Sequence, residues 1–443
     1  MRLTFILLCC VVAAGAQTSK IHTEGEVTAL AFASSEATLP FWFSTNQFNR
    51  IGSGSDYSLN AAITSSFAFS EGHTLSVGAS GAYRNGFEEE FQRIDLYVNY
   101  RNNWFDITVG ARRDPLQLDG LSATNQNFLW SQNARPLPGI KLEAPGWQRL
   151  TNGLYLDWSI AHYIMNDERF VEDTWVHSKD LALKWDINER HSIQFKLQHI
   201  AQWAGTSPLA GEQPNDIEAF FDVFIASRSN EELPGNALGN HMGTYFVQYE
   251  LEASQGKFSF YHEHPFEDGS GTRLANFPDG VWGISYAPVN KKLFSRLVYE
   301  FITTEDQSGS VTGSGNDRYF SNKLYRTGWA YEQTIIGFPF FFFDKTRVID
   351  IDTTPIINDV VQVHHFAANG YFGRFAWMIK SSISKNSGTL REPFSPSWNN
   401  WYNFISLGYD AKEYGLFTLI AGADTSNVAD DNFGAGIQYS YKF

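Results

Sequence analysis

The sequence of 443 residues is short of cysteines, charges and long apolar runs, and each shortage excludes a class of protein. Its two cysteines, Cys9 and Cys10, both lie near the N-terminus, so disulfide bonds cannot hold the rest of the chain together. Only 18% of the residues are charged, and a net charge of −15 without a basic run argues against a nucleic-acid partner. No stretch approaches ~18 uninterrupted apolar residues, which excludes a helical membrane protein.

The N-terminus has the pattern of a secretory signal peptide. Met1-Arg2 gives a positive start, Leu3–Val12 forms an apolar core and Ala14–Ala16 supplies small residues, so we expect cleavage just before Gln17. An apolar stretch of roughly ten residues is too short to cross about 30 Å of hydrocarbon as a helix.

A lipoprotein signal is the alternative reading of this N-terminus. Cys9-Cys10 would supply the lipidated residue, but Leu7-Leu8 before them fits a lipidation site poorly. We therefore predict a signal peptide over 1–16, a short periplasmic segment over 17–39 and a transmembrane β-barrel over 40–443.

Aromatic residues are abundant in this sequence, whereas charged residues are scarce. The chain holds 37 Phe, 20 Tyr and 13 Trp, together 16% of its residues. The mean hydropathy is nevertheless slightly negative, at −0.28. A transmembrane barrel gives this combination because its outward face is apolar and its inward face polar, and Trp and Tyr are typical of the two lipid–water boundaries.

Two-residue alternation recurs along the chain, as in Leu75–Tyr83, Leu181–Ile187, Ile193–His199 and Phe375–Lys380. The runs to which these ranges belong last about nine to twelve residues, the length that a tilted strand needs to cross a bilayer, whereas strands of soluble proteins average about five or six. The pattern predicts an all-β protein, a transmembrane antiparallel up-and-down β-barrel.

The connections between these runs are alternately short and long. Short turns are indicated near Glu71-Gly72 and Asn188-Glu189, and long polar segments over Ala204–Gly239, Glu305–Lys323 and Asn386–Asn400. Outer-membrane barrels join their strands by short periplasmic turns and long extracellular loops. Counting both kinds of connection predicts roughly 18 to 20 strands.

The C-terminal segment of the sequence predicts where the protein is located in the cell. Ile437, Tyr439, Tyr441 and Phe443 occupy alternate positions of a last amphipathic strand that ends on an aromatic residue. Such a strand is the address read by the outer-membrane assembly machinery, a partner during biogenesis. We expect a monomer surrounded by outer-membrane lipid in a Gram-negative bacterium.

Motifs of catalysis or metal binding are weak. His262 and His264 would share one face of a strand with Glu263 on the other, so girdle or lumen positions are favoured over a metal site. The Asp268–Gly271 stretch lacks the later ligands of a calcium loop. The sequence contains neither a nucleophile elbow nor a metalloprotease helix. We predict no enzyme activity, catalytic residue, metal or cofactor.

One long segment differs from the strands. Pro214–Asp216 is a plausible helix start, and Ile217, Phe220, Phe221 and Phe224 fall on one helical stripe. We expect either a short helix folded inward as a plug or lid, or a loop segment packed on its neighbours.

A series of short motifs runs in order along the chain from about residue 40. They begin with Pro40–Gln47 and Ser131–Pro138, and continue with Trp175–Lys179, Asn240–Gly243, Phe266–Gly271, Pro278–Gly283, Tyr299–Phe301, Ser308-Gly309, Tyr325–Trp329 and Gly337–Pro339. Together they resemble the Wzi capsule-assembly family of outer-membrane proteins, in a form lacking a long N-terminal extension. Pro40–Gln47 is similar to the family's opening strand and Ser131–Pro138 to its NARPxP segment.

The resemblance implies an 18-stranded barrel whose extracellular loops bind capsular or other surface polysaccharide and help assemble or retain the capsule at the cell surface, as a lectin. Some members close the periplasmic mouth of the barrel with a helical bundle, and the segment 17–39 is too short to form one. How the lumen is closed, and whether it is closed, is therefore left open by the resemblance. Residues from the matching motifs that we single out are Asn133, Arg135, Pro136, His177, Lys179, His241, Glu267, Asp268, Gly269, Trp282 and Trp329.

Saccharides are bound by aromatic faces framed by groups that hydrogen-bond hydroxyls. Residues in or beside long segments that could do this are Trp203, Arg318, Tyr319, Tyr325, Trp398 and Trp401. Two rival functions remain, a porin or substrate-selective channel and an outer-membrane enzyme acting on lipid or glycan.

Overall fold

The computed structural model of the protein describes residues 20–87, 89–227, 237–267, 269, 271–291, 293–308, 317–350 and 353–443. Within these residues, 18 antiparallel strands close into a ring. In chain order they are β1 Lys20–Ser34, β2 Tyr57–Ser70, β3 His73–Arg84, β4 Phe91–Arg101, β5 Asp106–Ala111, β6 Gly139–Glu143, β7 Leu154–Met165, β8 Thr174–Asn188, β9 His191–Trp203, β10 Asn240–Ala253, β11 Gly256–Phe266, β12 Gly280–Pro288, β13 Arg296–Thr303, β14 Val361–Phe372, β15 Phe375–Gly388, β16 Pro393–Asp410, β17 Leu416–Ser426 and β18 Asn432–Lys442.

Each strand pairs with the next along the chain, and β18 pairs with β1 from Glu26↔Lys442 to Ser34↔Gly434. This seam pairs both edges of the sheet, which a structure in lipid requires because an unpaired backbone group has no water to bond. The prediction of 18 strands is confirmed, within the 18 to 20 that the sequence allowed.

Shorter elements complete the fold. A small strand, Gln148–Thr151, pairs with the start of β7. Two-stranded ladders join Thr206–Ser207 to Gly211–Glu212, Ala330–Tyr331 to Thr334–Ile335, and Phe342–Phe343 to Ile356–Asn358. The helices are α1 Phe41–Ser44 and α2 Ile217–Ile225, with 3-10 turns at Leu118–Gly120, Gly271–Arg273 and Lys412–Tyr414. None of the helices in the described part of the chain has the length and apolar character needed to cross a bilayer.

The barrel begins earlier than the sequence predicts. The segment 17–39, expected to be periplasmic, contains β1, which fills the seam between β2 and β18. Its apolar signal is weak because Glu24, Gly25 and Glu26 interrupt it. Pro40–Gln47, expected to be the opening strand, instead contains the short helix α1, whose three consecutive aromatic residues have no strand alternation.

The alternation predicted from the sequence corresponds to the two faces of the wall. Along β8, Leu181, Leu183, Trp185 and Ile187 are 41–54% exposed on the outward face. Between them, Ala182 faces a luminal cavity. Outward positions are apolar because lipid surrounds them, and inward positions are free to be polar.

The two ends of the barrel differ in their connections. At one end, here named the short-turn rim, hairpins such as β2–β3 and β14–β15 are closed by two residues. The opposite end, the long-loop rim, carries the connections 35–56, 112–138, 204–239 and 304–360.

Three of the long connections fold into the lumen. The described inward-folded parts of 35–56, 112–138 and 304–360 are here named the plug. The principal hydrophobic core of the molecule joins plug residues such as Trp42, Phe128 and Trp329 to inward wall residues such as Val176 and Ile302. The core of this barrel therefore lies inside its wall, at the long-loop half.

Candidate functional site

Buried carboxylates of the wall hold the plug in the lumen. Glu300 of β13 accepts hydrogen bonds from Ser122 Oγ (2.6 Å) and Ala123 N (2.7 Å) of the plug, and from Tyr261 Oη of the wall (2.6 Å). Glu263 of β11 accepts from Phe128 N at 2.9 Å. A carboxylate that collects backbone and hydroxyl donors fixes a loop more firmly than apolar contact alone, because its partners would be unsatisfied without it.

The position of Glu263 also shows which faces of the strand the residues of the His262–His264 motif occupy. Its carboxylate is buried on the inward face, while His262 lies on the outward face and stacks on Trp282 with 3.7 Å between ring centroids. Among the described residues, no group of three or more His, Cys, Asp or Glu is placed to hold a metal ion.

Two buried aspartates anchor the longest connection at the long-loop rim. Asp279 accepts from Asp306 N (3.0 Å), Gln307 N (2.8 Å) and Tyr319 Oη (3.0 Å). Asp359 accepts from Gln307 Nε2 at 3.2 Å. Gln307 thus bridges both carboxyl groups, which we name the aspartate latch.

Burial raises the pKa of both latch carboxyls. The pKa of Asp279 rises to about 6, because desolvation outweighs the hydrogen bonds from Gln307, Asp306 and Tyr319 that favour the charged form. Desolvation also raises the pKa of Asp359 to about 6, against the opposing charge of Arg318, whose Nε lies 3.4 Å from the carboxyl oxygen. Both groups lie in loops, outside the strands of the wall.

Several residues from the family motifs stabilise the plug. Asn133 Nδ2 donates to Ile335 O at 3.0 Å, and Arg135 forms an ion pair with Glu332. Pro136 O accepts from Arg93 Nη1 at 3.3 Å. Trp329 is buried, and its Nε1 donates to Leu129 O at 2.7 Å.

The Phe266–Gly271 motif lies at the rim above β11. Glu267 accepts a hydrogen bond from Phe320 N of the plug. Gly269 O accepts from Thr272 Oγ1 at 3.0 Å, and Asp268 lies outside the described residues. The motif therefore contributes a contact between loop and plug.

The remaining motif residues lie on the outward face of the wall. His177 and Lys179 of β8 contact α2, and His241 Nδ1 lies 2.9 Å from His199 Nε2 of the neighbouring strand. Trp282 Nε1 donates to Pro278 O at 3.0 Å. These residues lie on one side of the barrel, between β8 and β12, near the long-loop rim, where aromatic and polar side chains are typical of the lipid–water boundary.

Three of the six residues expected to touch saccharide are buried, and a fourth, Arg318, is partly buried. Trp203 is 1% exposed and packs edge-on against Trp175 on the outer wall. Tyr319 is 1% exposed and Tyr325 2% exposed, and Tyr325 Oη donates to Ala204 O. Arg318 pairs with Asp359 of the latch. The burial of Trp203, Tyr319 and Tyr325 gives these three side chains a packing role in this structure. Contact of any of the four residues with saccharide stays a prediction.

The other two residues lie on opposite faces of β16. Trp401 is 49% exposed on the outward face, where its Nε1 donates to Ser381 Oγ at 2.8 Å. Trp398 lies at the long-loop rim and stacks on Phe394 with 4.2 Å between centroids, beside Phe342 at 5.9 Å. We name Phe342, Phe394 and Trp398 the rim aromatic cluster.

Charged side chains border the rim aromatic cluster. Arg347 Nη2 donates to Glu392 Oε1 at 2.8 Å, and Arg391 beside it is exposed. The aromatic rings supply apolar faces, and the guanidinium and carboxylate groups supply donors and acceptors for hydroxyls. Sequence reasoning missed Phe342, Phe394 and Arg347, since no local pattern indicates that a loop and a hairpin tip from different parts of the chain meet.

Below the plug, cavities lie in the described part of the lumen. One of about 440 Å³ is lined by charged wall residues including Lys141, Glu143, Asp157 and Lys196. The second, of about 340 Å³, lies between α1 and the seam strands and includes Glu26 in its lining. Both are polar spaces enclosed between plug and wall.

The barrel is similar to solved outer-membrane proteins. It matches Wzi of Escherichia coli, a carbohydrate-binding β-barrel involved in group 1 capsule assembly, at 13% identity and a TM-score of 0.62, covering 98% of this chain and 87% of that chain. It also matches OccK3 (OpdO) of Pseudomonas aeruginosa at 11% identity and a TM-score of 0.49, covering 96% of both chains. No curated protein matches the chain significantly.

The sequence comparison is more specific than the shared fold. Residues 43–341, more than half of the chain, match the family described as capsule assembly protein Wzi. This span covers strands β2 to β13 and much of the plug, and the closed barrel agrees with it. The chain therefore belongs to the Wzi family of capsule assembly proteins, as a β-barrel of the outer membrane.

Proposed function

We propose that this barrel binds capsular polysaccharide at its long-loop rim and helps to assemble or retain the capsule at the cell surface. The observation that supports this most is the plug, because it turns the long loops into one packed body with the rim aromatic cluster at its outer edge. A preorganised surface binds a flexible polymer without first having to order its own loops.

The proposed orientation follows from the connections. In barrels of this class the short turns face the periplasm and the long loops face the outside, so the rim aromatic cluster would face the capsule. Residues 1–16 would direct export and be removed, although they lie outside the described residues.

The packed plug favours a binding protein over a porin. A porin needs a continuous aqueous path, whereas here Trp329, Phe338 and Phe340 are 0% exposed across the long-loop half of the lumen. We propose a lectin rather than an enzyme, since the buried carboxylates described above are occupied in holding loops.

Deletion of the gene tests the capsule role most directly. Cell-bound and released polysaccharide would be measured separately in the deletion strain and after complementation. We expect capsule to shift from the cells to the medium and to return on complementation, and unchanged retention would contradict the proposal. In planar bilayers, a large steady conductance of the purified barrel would favour the porin instead.

A further inference from the structure

The helix α2 lies on the outside of the barrel. Along β8, Val176 belongs to the luminal core, so its neighbours Trp175 and His177 face outward. The ring of Phe220 lies 5.5 Å from His177 and that of Phe224 lies 5.3 Å from it. The helix expected to fold inward as a plug or lid is thus confirmed as a helix, but its inward position is wrong.

The C-terminal end of α2 reaches the lipid-facing surface of the wall. Lys179 donates to Phe224 O, a carbonyl of the last turn, and its Nζ lies 4.1 Å from the centre of the Phe224 ring. The next outward residues of β8 are Leu181 and Leu183, which are 51% and 41% exposed. Lys179 and Leu181 lie only ~7 Å apart along the strand.

The side of α2 that faces away from the wall carries an apolar stripe. Ile217, Phe221 and Ile225, spaced four residues apart, are 71%, 58% and 68% exposed. At the helical period of 3.6 residues they form one narrow row, with Glu218 and Asp222 on the adjoining flank. Packing against the wall therefore leaves a second apolar surface uncovered, next to an acidic one.

We propose that α2 is an interfacial helix whose stripe of Ile217, Phe221 and Ile225 is buried among the acyl chains of the outer leaflet. The stripe extends the lipid-facing surface formed by Leu181 and Leu183 of β8 towards the long-loop rim. One bilayer would therefore cover the stripe and these leucines together. Glu218 and Asp222 then lie on the aqueous side. This arrangement has the features of helices that lie in the plane of a membrane interface.

The proposal extends the membrane contact of the barrel sideways at the long-loop rim. Only one sector of the wall, β7 to β10, would carry this contact, so the helix would fix how the rim sits relative to the lipid surface there. The interfacial position of α2 depends on the barrel being in a membrane and is independent of polysaccharide binding. An experiment that contradicts one of these two proposals therefore leaves the other untouched.

Fluorescence quenching in proteoliposomes tests the position of the stripe. Single-cysteine variants Phe221→Cys, Glu218→Cys and Leu183→Cys of the full barrel would be labelled with an environment-sensitive nitrobenzoxadiazole probe. We expect the probe at 221 to be quenched several-fold more by nitroxide-labelled acyl chains than the probe at 218, and to approach the lipid-facing control at 183. Iodide in the buffer should quench in the reverse order.

Two outcomes would overturn the proposal. Equal iodide quenching at 221 and 218 would place the stripe in water, and protection of 221 from both quenchers would place a protein surface over it. Heat-modified mobility on gels would verify that each variant retains a closed barrel. A milder variant, Phe221→Ser, should leave that mobility unchanged while lowering the acyl-chain quenching of a probe at 225.

Discussion

The two halves of the lumen differ although the same strands line both. In the long-loop half, side chains such as Trp329 and Phe338 pack to complete burial. In the short-turn half, Lys141, Glu143 and Asp157 surround a cavity of about 440 Å³. The wall therefore does not by itself determine whether the lumen is filled: loops fill the long-loop half, whereas charged wall residues border open space in the short-turn half.

This difference assigns separate roles to the two halves. The packed half behaves as the hydrophobic core of a soluble protein enclosed in a membrane wall, so its stability follows from cavity and packing rules. The polar half contributes cavity space lined by charged side chains. Changes in the packed half should therefore have large effects, and changes at its exposed edge small ones.

The largest effect is expected from Trp329→Ala. Loss of a buried indole and of its hydrogen bond to Leu129 O should lower the stability of the plug by about 3–5 kcal/mol. Hydrogen–deuterium exchange over 317–341 should accelerate while that of the strands stays slow. Trp104→Ala, at a side chain 78% exposed on the short-turn rim, is the control, and equal exchange in both variants would contradict the contrast between the halves.

A smaller effect is expected on ligand binding from Trp398→Ala. Removing the centre of the rim aromatic cluster should weaken binding of purified capsular polysaccharide about tenfold, a loss of about 1.4 kcal/mol. Calorimetry would measure it. Trp401→Ala, on the outward face of the same strand, is the matched control. Equal weakening of binding by both variants would show that the rim aromatic cluster is not part of the binding surface.

The aspartate latch should respond to pH. Because the pKa of Asp279 and of Asp359 is raised to about 6, the folded loop holds these protons more tightly than the opened loop does. This stabilisation is complete below the ordinary carboxyl pKa of about 4 and is lost as the pH rises through about 6. Exchange of 303–308, corrected for intrinsic rates, should be severalfold faster at pH 7.5 than at pH 4.5.

Asp279→Asn provides the control for the latch, since an amide at that position cannot titrate. The variant should show a smaller change in exchange between the two pH values. Protection that increases with pH in the unmodified protein would contradict this assignment.

The smallest effect is expected at the exposed edge. Lys385 Nζ lies 3.1 Å from Glu305 Oε1, with both side chains more than a third exposed. Such pairs contribute ~0.2–1 kcal/mol and are screened by salt. Lys385→Ala should leave thermal unfolding almost unchanged, and a shift as large as that of Trp329→Ala would show that the rim carries more stability than its exposure indicates.

The wall could be predicted from the sequence because lipid imposes a strict rule on alternate residues. The face of Glu263 opposite His262 and His264 was predicted correctly for this reason. The plug could not be predicted, since Gly337–Phe343 is a continuous apolar run without a period, and its partners come from distant loops. For the same reason, sequence alone could not show that Trp203, Tyr319 and Tyr325 are buried.

The seam between β1 and β18 has a consequence for the order of folding. It pairs Ser34 with Gly434 and Glu26 with Lys442, contacts between opposite ends of the chain. Contacts of such high sequence separation form slowly because a very long loop must close first. Local hairpins such as β2–β3 can form early, whereas the ring cannot close before β18 is available. Until then both edges of the growing sheet can pair with other chains, so the seam sets the interval during which assembly needs protection from aggregation.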